Sequence, residues 1–385
     1  MITVLNITGL LPLKDIVRKK NENDILFITE KKLKEKYKDI SIHYLLILPD
    51  TNKLLALISK KWKSYYKVKK SGSYLIRRRP VFVLGMIQLP RSLSFRSMLY
   101  EISFQRNKKK IRKIIEETNP TIIHAQNSNA DAYLARRIKD DFHIPYVVTL
   151  RELNRIADST VALNLKNANK LIALSPTQLK AAKKLTDKPI ELIPHGIPEV
   201  FFVDKIPEKN HEELKLISVC RLLKLKNLDL VIEALSNYEG EFIYDIYGDG
   251  PEMENLQISI TKFKLNKRIR LKGFIVHEKL PDILQDYNLF VMPSFPETLG
   301  RVYFEAMACG LPVLASKNTG IDGLIRDKKE GFLVEPEDLD SLRQILHHLL
   351  KNKECLSIMS SYARTLAENY KWDRITSELY KIYSA

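Results

Sequence analysis

Cysteine is scarce in this sequence, and the positions of the cysteines exclude two ways of stabilising a fold. The 385 residues contain three, Cys220, Cys309 and Cys355, which lie far apart without a CxxC spacing. The eight histidines show no metal-ligand spacing either. We therefore expect no metal site and no disulfide framework, but packed or inert thiols in a reducing cytosol.

Long apolar segments are also missing. No window approaches the roughly 18 apolar residues that a membrane-spanning helix needs, and the run from Val81 to Ile87 has the length of a buried strand. The first residues, Met1 to Leu11, lack a basic region and meet Pro12 early, so we interpret them as a strand and turn rather than a signal peptide. The sequence predicts a chain that does not cross a membrane and a mature protein that starts at Met1.

Acidic residues are rare in the first half of the chain. Residues 1–195 contain 38 Lys+Arg and 17 Asp+Glu, a net charge of +21, whereas residues 196–385 contain 25 and 29, a net charge of −4. The excess peaks at residues 60–113, where aromatic residues accompany 17 basic ones and Glu101 is the single acid. Such a surface suits anionic phospholipids or nucleic-acid phosphates. Because no nucleic-acid-binding motif accompanies it, we favour an anionic membrane surface over nucleic acid or a solvated face.

The remaining composition and patterning predict an α/β protein of two domains. A chain of this length with 45% hydrophobic residues exceeds one hydrophobic core. Short β-branched segments alternate with helical patterns, most regularly after Leu214, which predicts doubly wound parallel sheets, with the boundary at Ile193–Pro207. Two such domains would face each other across a ligand-binding cleft. The strands predicted in the first half are Ile2–Ile7, Asp24–Ile28, Ile42–Leu48, Val81–Ile87, Thr121–His124, Tyr146–Leu150 and Leu171–Leu174.

The segment PSFPETLGRVYFEAMACGLPVLAS, residues 293–316, has the layout of a ligand site. Glu297 lies in a predicted loop, Gly300 at a predicted helix start, and Glu305 inside that helix. A helix N-terminus offers unpaired N–H groups and a partial positive charge, and glycine lets a phosphate approach the backbone. Glu305 could accept hydrogen bonds from ribose hydroxyls. From spacing alone, an ordinary helix start with Glu297 as a solvated acid is equally open.

Arg221 and Lys226 form a second candidate site, in a predicted strand-to-helix loop where each could reach a diphosphate. Such neutralisation would remove the need for a metal, although basic residues of a basic protein can also be merely solvated. The sequence Gly248-Asp249-Gly250 is not a dinucleotide-binding fingerprint, because no third glycine follows, and we interpret it as a turn that shapes the cleft. Gly9 is the single glycine after the first strand, where it could approach a phosphate.

These motifs carry a resemblance to a known family. From Leu214 to Ser316, and less closely to Tyr383, the sequence resembles the retaining GT-B glycosyltransferases of the group-one type, also called glycosyltransferase family four. The resemblance rests on the spacings of Glu297 with Glu305 and of Arg221 with Lys226, and on the strings EAMACGLPVLAS, YGDGPE and IPHGI. The strings TIIHA and WDRITSELYKIY match more loosely.

The family implies a GT-B architecture of two Rossmann-like domains. Residues 1–195 would bind the acceptor, residues 196–370 the nucleotide sugar, and residues 371–385 would form a helix that crosses back. In the implied donor site, Arg221 and Lys226 would hold the diphosphate, Glu305 the ribose and Glu297 the transferred sugar. The amides around Leu299, Gly300 and Arg301 would bind the distal phosphate. The backbone near Phe274 and Ile275 would meet the nucleobase, and Gly248 and Gly9 would lie beside the donor.

The family also implies a reaction. A sugar would pass with retention, without metal or cofactor, from a UDP- or GDP-sugar to a saccharide or lipid-linked acceptor for surface polysaccharide or glycolipid. The diphosphate would leave from the front face and help deprotonate the acceptor, with no assigned protein nucleophile. The enzyme would be cytoplasmic, at the inner face of the membrane. Alternatives are a GT-B epimerase, a glucan phosphorylase-like enzyme, or an inactive protein that binds polyanions or membranes.

The sequence departs from the family at three places. A lone Gly9 stands where many members have a glycine-rich loop, and Asn227 follows Lys226 where a glycine is usual, a change that we expect the loop to absorb. Arg151 replaces a frequent histidine. It could pair with Glu152 or contact an anionic sugar or lipid phosphate. His124 and Asn127 are further acceptor-side candidates, and His195 could also touch substrate.

Overall fold

The computed structural model describes residues 1–9, 25–50, 71–76, 79–87, 96–151, 159–203, 213–238 and 240–385. It divides into two compact units. Unit 1 comprises Met1–Leu174, Gln178–Ile193 and Thr376–Ala385, and unit 2 comprises Ser175–Thr177 and Pro194–Ile375. Each unit has its own sheet. Of the basic stretch 60–113, residues 60–70, 77–78 and 88–95 lie outside the described residues, as do Leu10–Pro12, Glu152 and Pro207.

Unit 1 is organised around a sheet whose described strands run in the order β3-β4-β2-β1-β5-β6-β7-β8. The strands are β1 (Ile2–Thr8), β2 (Ile40–Pro49), β3 (Ser71–Ile76), β4 (Arg79–Met86), β5 (Ile122–Ala125), β6 (Tyr146–Leu150), β7 (Lys170–Ala173) and β8 (Ile190–Leu192). The helices between them are α1 (Ile25–Lys36), α2 (Arg96–Thr118), α3 (Ala130–Phe142), α4 (Ser159–Asn167) and α5 (Pro176–Ala182), of which the first two residues group with unit 2. Every residue of β5 and β6 is buried, as expected where helices cover both faces of a parallel sheet.

Unit 2 repeats this plan around a parallel sheet, whose described strands run in the order β11-β10-β9-β12-β13-β14. The strands are β9 (Leu214–Val219), β10 (Phe242–Tyr247), β11 (Ile269–Gly273), β12 (Leu289–Val291), β13 (Val313–Ser316) and β14 (Gly331–Val334). The helices are α6 (Leu228–Ser236), α7 (Met253–Lys262), α8 (Leu280–Leu284), α9 (Arg301–Ala308), α10 (Leu339–Lys351), α11 (Cys355–Ala367) and α12 (Trp372–Ser384). The last residues of α12, from Thr376, group with unit 1.

One predicted strand is wrong. The segment Asp24–Ile28 was expected to be extended, but Ile25–Lys36 is helical, and Asp24 lies outside the described residues. The buried residues of this helix, Leu26, Phe27, Glu30 and Leu33, follow helical spacing. A short apolar run does not distinguish the two structures by itself, and here the buried Glu30 accepts hydrogen bonds from Tyr44 and Arg79, which fix the helix.

The sheets contain strands that the alternation did not predict. β3 pairs antiparallel with β4, so the sheet of unit 1 is not purely parallel, and β8 and β14 are short parallel edge strands. Edge strands of three or four residues lack a long hydrophobic signal of their own, because they depend on a neighbouring strand for their hydrogen bonds.

In each sheet the order of the described strands reverses beside the first strand of the unit. In unit 1, β2 and β5 lie on opposite sides of β1, and in unit 2, β10 and β12 lie on opposite sides of β9. Ligands bind doubly wound sheets at such switch points, beyond the carboxyl ends of the strands. The loops after β1 and β5, and those after β9 and β12, are therefore where binding residues are expected.

Two tyrosines attach the end of α12 to the rest of unit 1. The Tyr383 hydroxyl lies 2.7 Å from Nδ1 of His124, inside the core. Tyr380 stacks on Tyr37 with ring centroids 3.8 Å apart, and its hydroxyl donates to Asp39 at the surface. The hydroxyl bond of Tyr383 is thus buried, whereas that of Tyr380 is exposed.

Of the helices that the structure describes, none combines the length and the apolar character required to span a bilayer.

All three cysteines are free thiols. Burial raises the pKa of Cys220 to about 12, so this thiol is protonated at neutral pH.

We expect Tyr383→Phe to destabilise unit 1 by about 1–3 kcal/mol, because it leaves a buried ring nitrogen of His124 without its partner. Tyr380→Phe is the matched control, with an expected cost below about 1 kcal/mol, since its hydroxyl bond is exposed. Urea unfolding of the wild type and both variants measures the difference. Equal destabilisation would contradict the importance of the buried contact.

Candidate active site

The candidate donor site of unit 2 is formed by the two loops at its switch point. Residues 220–227 follow β9, and residues 292–300 follow β12, the neighbouring strand. Two hydrogen bonds join these loops: Phe295 N–H donates to Leu225 O at 2.8 Å, and the Asn227 amide donates to Pro293 O at 2.9 Å. One backbone and one side-chain donor thus hold the two loops together before any ligand is considered.

Asn227 shows how the first loop absorbs its departure from the family pattern. Its φ of 53° lies in the left-handed region, where glycine is most common and asparagine is among the tolerated residues. The conformation ends the 3-10 turn Lys224–Lys226, and α6 starts at the next residue. The expectation that the loop accommodates asparagine is confirmed.

Lys226 and Glu297 form an ion pair across the two loops. The Lys226 Nζ lies 2.6 Å from Glu297 Oε2, and the side chains are only 14% and 16% exposed. The other carboxylate oxygen accepts the Thr298 N–H at 3.0 Å. Glu297 is therefore an oriented, largely buried carboxylate, and the alternative of a solvated acid does not describe it.

Arg221 is exposed beside this pair, and no described residue forms an ion pair with it. Its backbone is clamped by the glycine turn after β10: Leu222 N–H donates to Asp249 O at 2.7 Å, and a Cβ on Gly248 would lie 1.8 Å from Cys220 O. The Gly248 N–H itself donates to Gly273 O. Gly248 thus positions the arginine loop, and its own amide is already used within the protein.

Gly300 starts α9 with a φ of 70°, and the Tyr303 ring packs against it so closely that a Cβ would lie 2.4 Å from Cε2. The Tyr303 hydroxyl is fixed by a hydrogen bond to Met292 O. Arg301 is the first helical residue and is partly exposed. The Leu299 side chain is buried in the core, so only its backbone could meet a ligand. This helix start has the geometry expected of an anion site.

Glu305 is 5% exposed, and its Oε1 lies 3.0 Å from Nε2 of His277. Sequence reasoning missed His277, although it stands two residues beyond Ile275, the predicted nucleobase neighbour. The Phe201 ring packs against the imidazole, with centroids 5.0 Å apart. The histidine therefore orients the carboxylate that is expected to meet the ribose. Phe274 is 71% exposed, which leaves an aromatic face open to a ligand.

In unit 1, three of the four predicted residues follow strands at or beside its switch point. Gly9 follows β1, where a Cβ would make only ordinary contacts, the nearest 3.7 Å from Ile47 O. Asn127 follows β5, and its side chain accepts the Ser128 N–H. Arg151 follows β6 and donates to the neutral Gln126 side chain at 3.0 Å, so this bond does not neutralise its charge. The alternative pairing with Glu152 lies outside the described residues.

The structure does not support the predicted contact of His124 with the acceptor. It is 3% exposed, with Nδ1 beside Tyr383 and Nε2 2.7 Å from the Thr149 hydroxyl, so both ring nitrogens are engaged inside unit 1. Burial, together with the positive charge of Arg151, lowers the pKa of His124 to about 3. The ring is a neutral core residue because desolvation disfavours its charged form.

Two family models match the chain. One, described as glycosyl transferases group 1, matches residues 201–366, and the other, described as Glycosyltransferase Family 4, matches residues 75–200. The chain belongs to the group 1 glycosyltransferases.

A solved structure shows the fold of this group 1 glycosyltransferase. HepE from Anabaena, in complex with UDP, is similar with a TM-score of 0.68 and 18% sequence identity, over 100% of this chain and 99% of that one. The likeness confirms the predicted GT-B fold of two Rossmann-like domains.

Two curated relatives are longer than this chain, so the matches cover only part of each relative. Sulfoquinovosyl transferase of Arabidopsis thaliana is 29% identical over 264 residues, 67% of this chain and 50% of the relative. The gpi3 subunit of phosphatidylinositol N-acetylglucosaminyltransferase of Schizosaccharomyces pombe is 22% identical over 338 residues, 83% of this chain and 72% of the relative. The chain thus spans about half the length of the plant relative.

Gly300→Ala should destabilise unit 2 by about 1–3 kcal/mol more than Gly273→Ala, because only the first substitution overpacks a core. Both glycines have nearly the same φ, 70° and 72°, but a Cβ on Gly273 meets nothing within 4 Å. The pair therefore separates steric clash from backbone strain, which is common to both. Thermal unfolding measures the difference, and equal shifts would show that Tyr303 moves aside without cost.

Proposed function

We propose that the chain transfers a sugar from a nucleotide-sugar donor to a saccharide or lipid-linked acceptor, with retention of configuration at the anomeric carbon. The observation that carries this proposal is the Lys226–Glu297 pair at the switch point of unit 2, beside Arg221 and the start of α9. In this proposal unit 2 binds the donor and unit 1 the acceptor.

Three positive groups of unit 2 suit the donor diphosphate. Arg221 offers an exposed guanidinium, Lys226 an ammonium, and the N-terminus of α9 unpaired N–H groups. In the structure the Lys226 ammonium is paired with Glu297. Donor binding would give this ammonium a second anion, and charge developing on the diphosphate as it leaves would be stabilised by all three groups.

Glu297 is a poor candidate for a nucleophile. One carboxylate oxygen is paired with Lys226 and the other accepts a backbone N–H, and both contacts stabilise the anion where it is. We therefore assign it to orienting the hydroxyls of the transferred sugar. Front-face departure of the diphosphate, which then takes the proton of the acceptor hydroxyl, needs no protein nucleophile and retains the configuration.

The same groups make a metal unnecessary in this proposal. Divalent metals serve diphosphate leaving groups by neutralising developing charge, and Arg221 with Lys226 would do so here. We infer that the donor is a UDP-sugar first and a GDP-sugar second, since HepE is described in complex with UDP.

The acceptor is proposed to be presented at an anionic membrane, on the inner face. The described part of α2 exposes Lys109, Arg112 and Lys113, and none of them pairs with a described residue. Each basic residue near an anionic surface contributes about 1 kcal/mol. The fission-yeast relative is named for a phosphatidylinositol substrate, which agrees with a lipid-linked acceptor.

Arg221→Ala should lower kcat/KM for transfer by about 100-fold or more, because it removes a charge from the leaving group. Lys224→Ala is the matched control, since Lys224 lies in the same loop but pairs with Asp229, and we expect a change within about twofold. Purified protein is assayed with UDP-, GDP- and ADP-sugars, with and without EDTA, and NMR gives the product anomer.

Several outcomes would contradict parts of this proposal. Full activity of Arg221→Ala would remove the assigned role of the arginine, and loss of activity in EDTA would remove the metal-free reaction. An inverted product would refute retention. Failure to bind any of the nucleotide sugars would refute the function itself.

Binding to phosphatidylglycerol vesicles should decrease with salt, and Arg112→Gln/Lys113→Gln should weaken it several-fold. The control, Lys183→Gln/Lys184→Gln, removes the same charge from exposed positions of unit 1 outside the basic stretch. Co-sedimentation measures the bound fraction. Equal, salt-insensitive binding to phosphatidylcholine vesicles would refute the membrane proposal.

A further inference from the structure

A cavity of about 310 Å³ lies in unit 1, between the carboxyl ends of β2 and β4 and the side of α2. It is lined from the strand side by Asp50, Gly85 and Ile87 and from α2 by Ser103, Arg106, Asn107 and Lys110. β4 is separated from β1 by β2 alone, so the cavity lies about 10 Å along the sheet edge from the switch point.

The wall of this cavity is fixed by two side chains of α2. Asn107 is 8% exposed, and its amide donates to Gly85 O at 3.0 Å and to Ser103 O at 2.8 Å. The Ser103 hydroxyl accepts the Ile87 N–H at 2.9 Å. These bonds pin the helix to the end of β4. The cavity is therefore a formed feature of the fold, with little reorganisation needed for binding.

Two cations of α2 line this cavity. Arg106 and Lys110 stand one helical turn apart, and neither pairs with a described acidic residue, whereas Lys108 on another side of α2 pairs with Asp141 at 2.8 Å. Like charges at this spacing repel, which is unfavourable unless an anion lies between them. A guanidinium and an ammonium together are suited to phosphate.

The opposite side of the cavity has a different chemistry. Asp50 contributes a carboxylate, and its backbone N–H is anchored to Met86 O at 2.7 Å. A carboxylate repels a bare anion but accepts hydrogen bonds from hydroxyl groups. A ligand that satisfies both sides therefore carries a phosphate at one end and hydroxyls at the other.

We propose that this cavity binds a phosphorylated sugar or polyol, with Arg106 and Lys110 on the phosphate and Asp50 on the hydroxyls. The proposal rests on the proposed function, because the ligand would be part of the acceptor. It names a substrate class by its chemistry, which a lipid headgroup or a soluble sugar phosphate can supply.

The test is calorimetric titration of the full chain with hexose 1-phosphates, glycerol 3-phosphate and inositol 1-phosphate, beside inorganic phosphate and free glucose. We expect at least one phosphorylated polyol to bind more tightly than phosphate or glucose. Arg106→Gln/Lys110→Gln should weaken that binding at least tenfold. Lys183→Gln/Lys184→Gln, which removes the same charge from exposed positions of unit 1 outside the cavity, should change it by less than twofold.

Asp50→Asn separates the two sides of the cavity. It should weaken the phosphorylated polyol several-fold while inorganic phosphate binds as before or better. Competition between the polyol phosphate and phosphatidylglycerol vesicles for the cavity would assign the lipid headgroup as the source, and tight soluble binding without competition would assign a soluble sugar phosphate.

The proposal is overturned if no phosphorylated polyol binds better than inorganic phosphate, or if the Arg106/Lys110 and Lys183/Lys184 double variants weaken binding equally. Titration of the same proteins with nucleotide sugar distinguishes failure of the cavity proposal from failure of the proposed function. Loss of polyol-phosphate binding with normal nucleotide-sugar binding refutes only the cavity, whereas absence of nucleotide-sugar binding in the wild type refutes the proposed function.

Discussion

The candidate donor site of unit 2 depends on the reversal of strand order between β10, β9 and β12. Because β9 and β12 are neighbours in space but distant in sequence, the loops after them lie side by side. Two backbone-directed hydrogen bonds then join the loops, and Lys226 meets Glu297. The arrangement follows from the topology of the sheet, and the site residues take their positions from it.

The energy of the Lys226–Glu297 pair depends on two opposing effects, the cost of burying the ions and their mutual attraction. Two largely buried ions cost desolvation energy, which the short contact and the Thr298 N–H offset. A diphosphate beside them would add negative charge where Arg221 and the start of α9 supply positive charge. The glycine turn after β10 and the left-handed Asn227 support this from behind, since they set the path of the loop that carries both cations.

Unit 1 separates its charges differently. In its interior, His124 is neutral and engaged on both ring nitrogens, and Glu30 is held by hydrogen bonds from Tyr44 and Arg79. On α2 the basic residues outnumber their acidic partners, and part of this excess faces a formed cavity. Among the described residues, the basic side chains of α2 that lack an acidic partner thus lie at an exposed surface rather than in the interior.

The sequence by itself determined the α/β class, the two doubly wound sheets and the spacing of Glu297 with Glu305, because hydrophobic alternation and motif spacing are local properties. The same local signal misassigned Asp24–Ile28, where long-range bonds to Glu30 select a helix, and it missed the short edge strands. Only the tertiary structure brought His277 to Glu305 and placed His124 inside the core. The burial and the ionisation state of a side chain depend on residues that are distant in the chain. A local sequence pattern contains no information about which distant residues will pack against it.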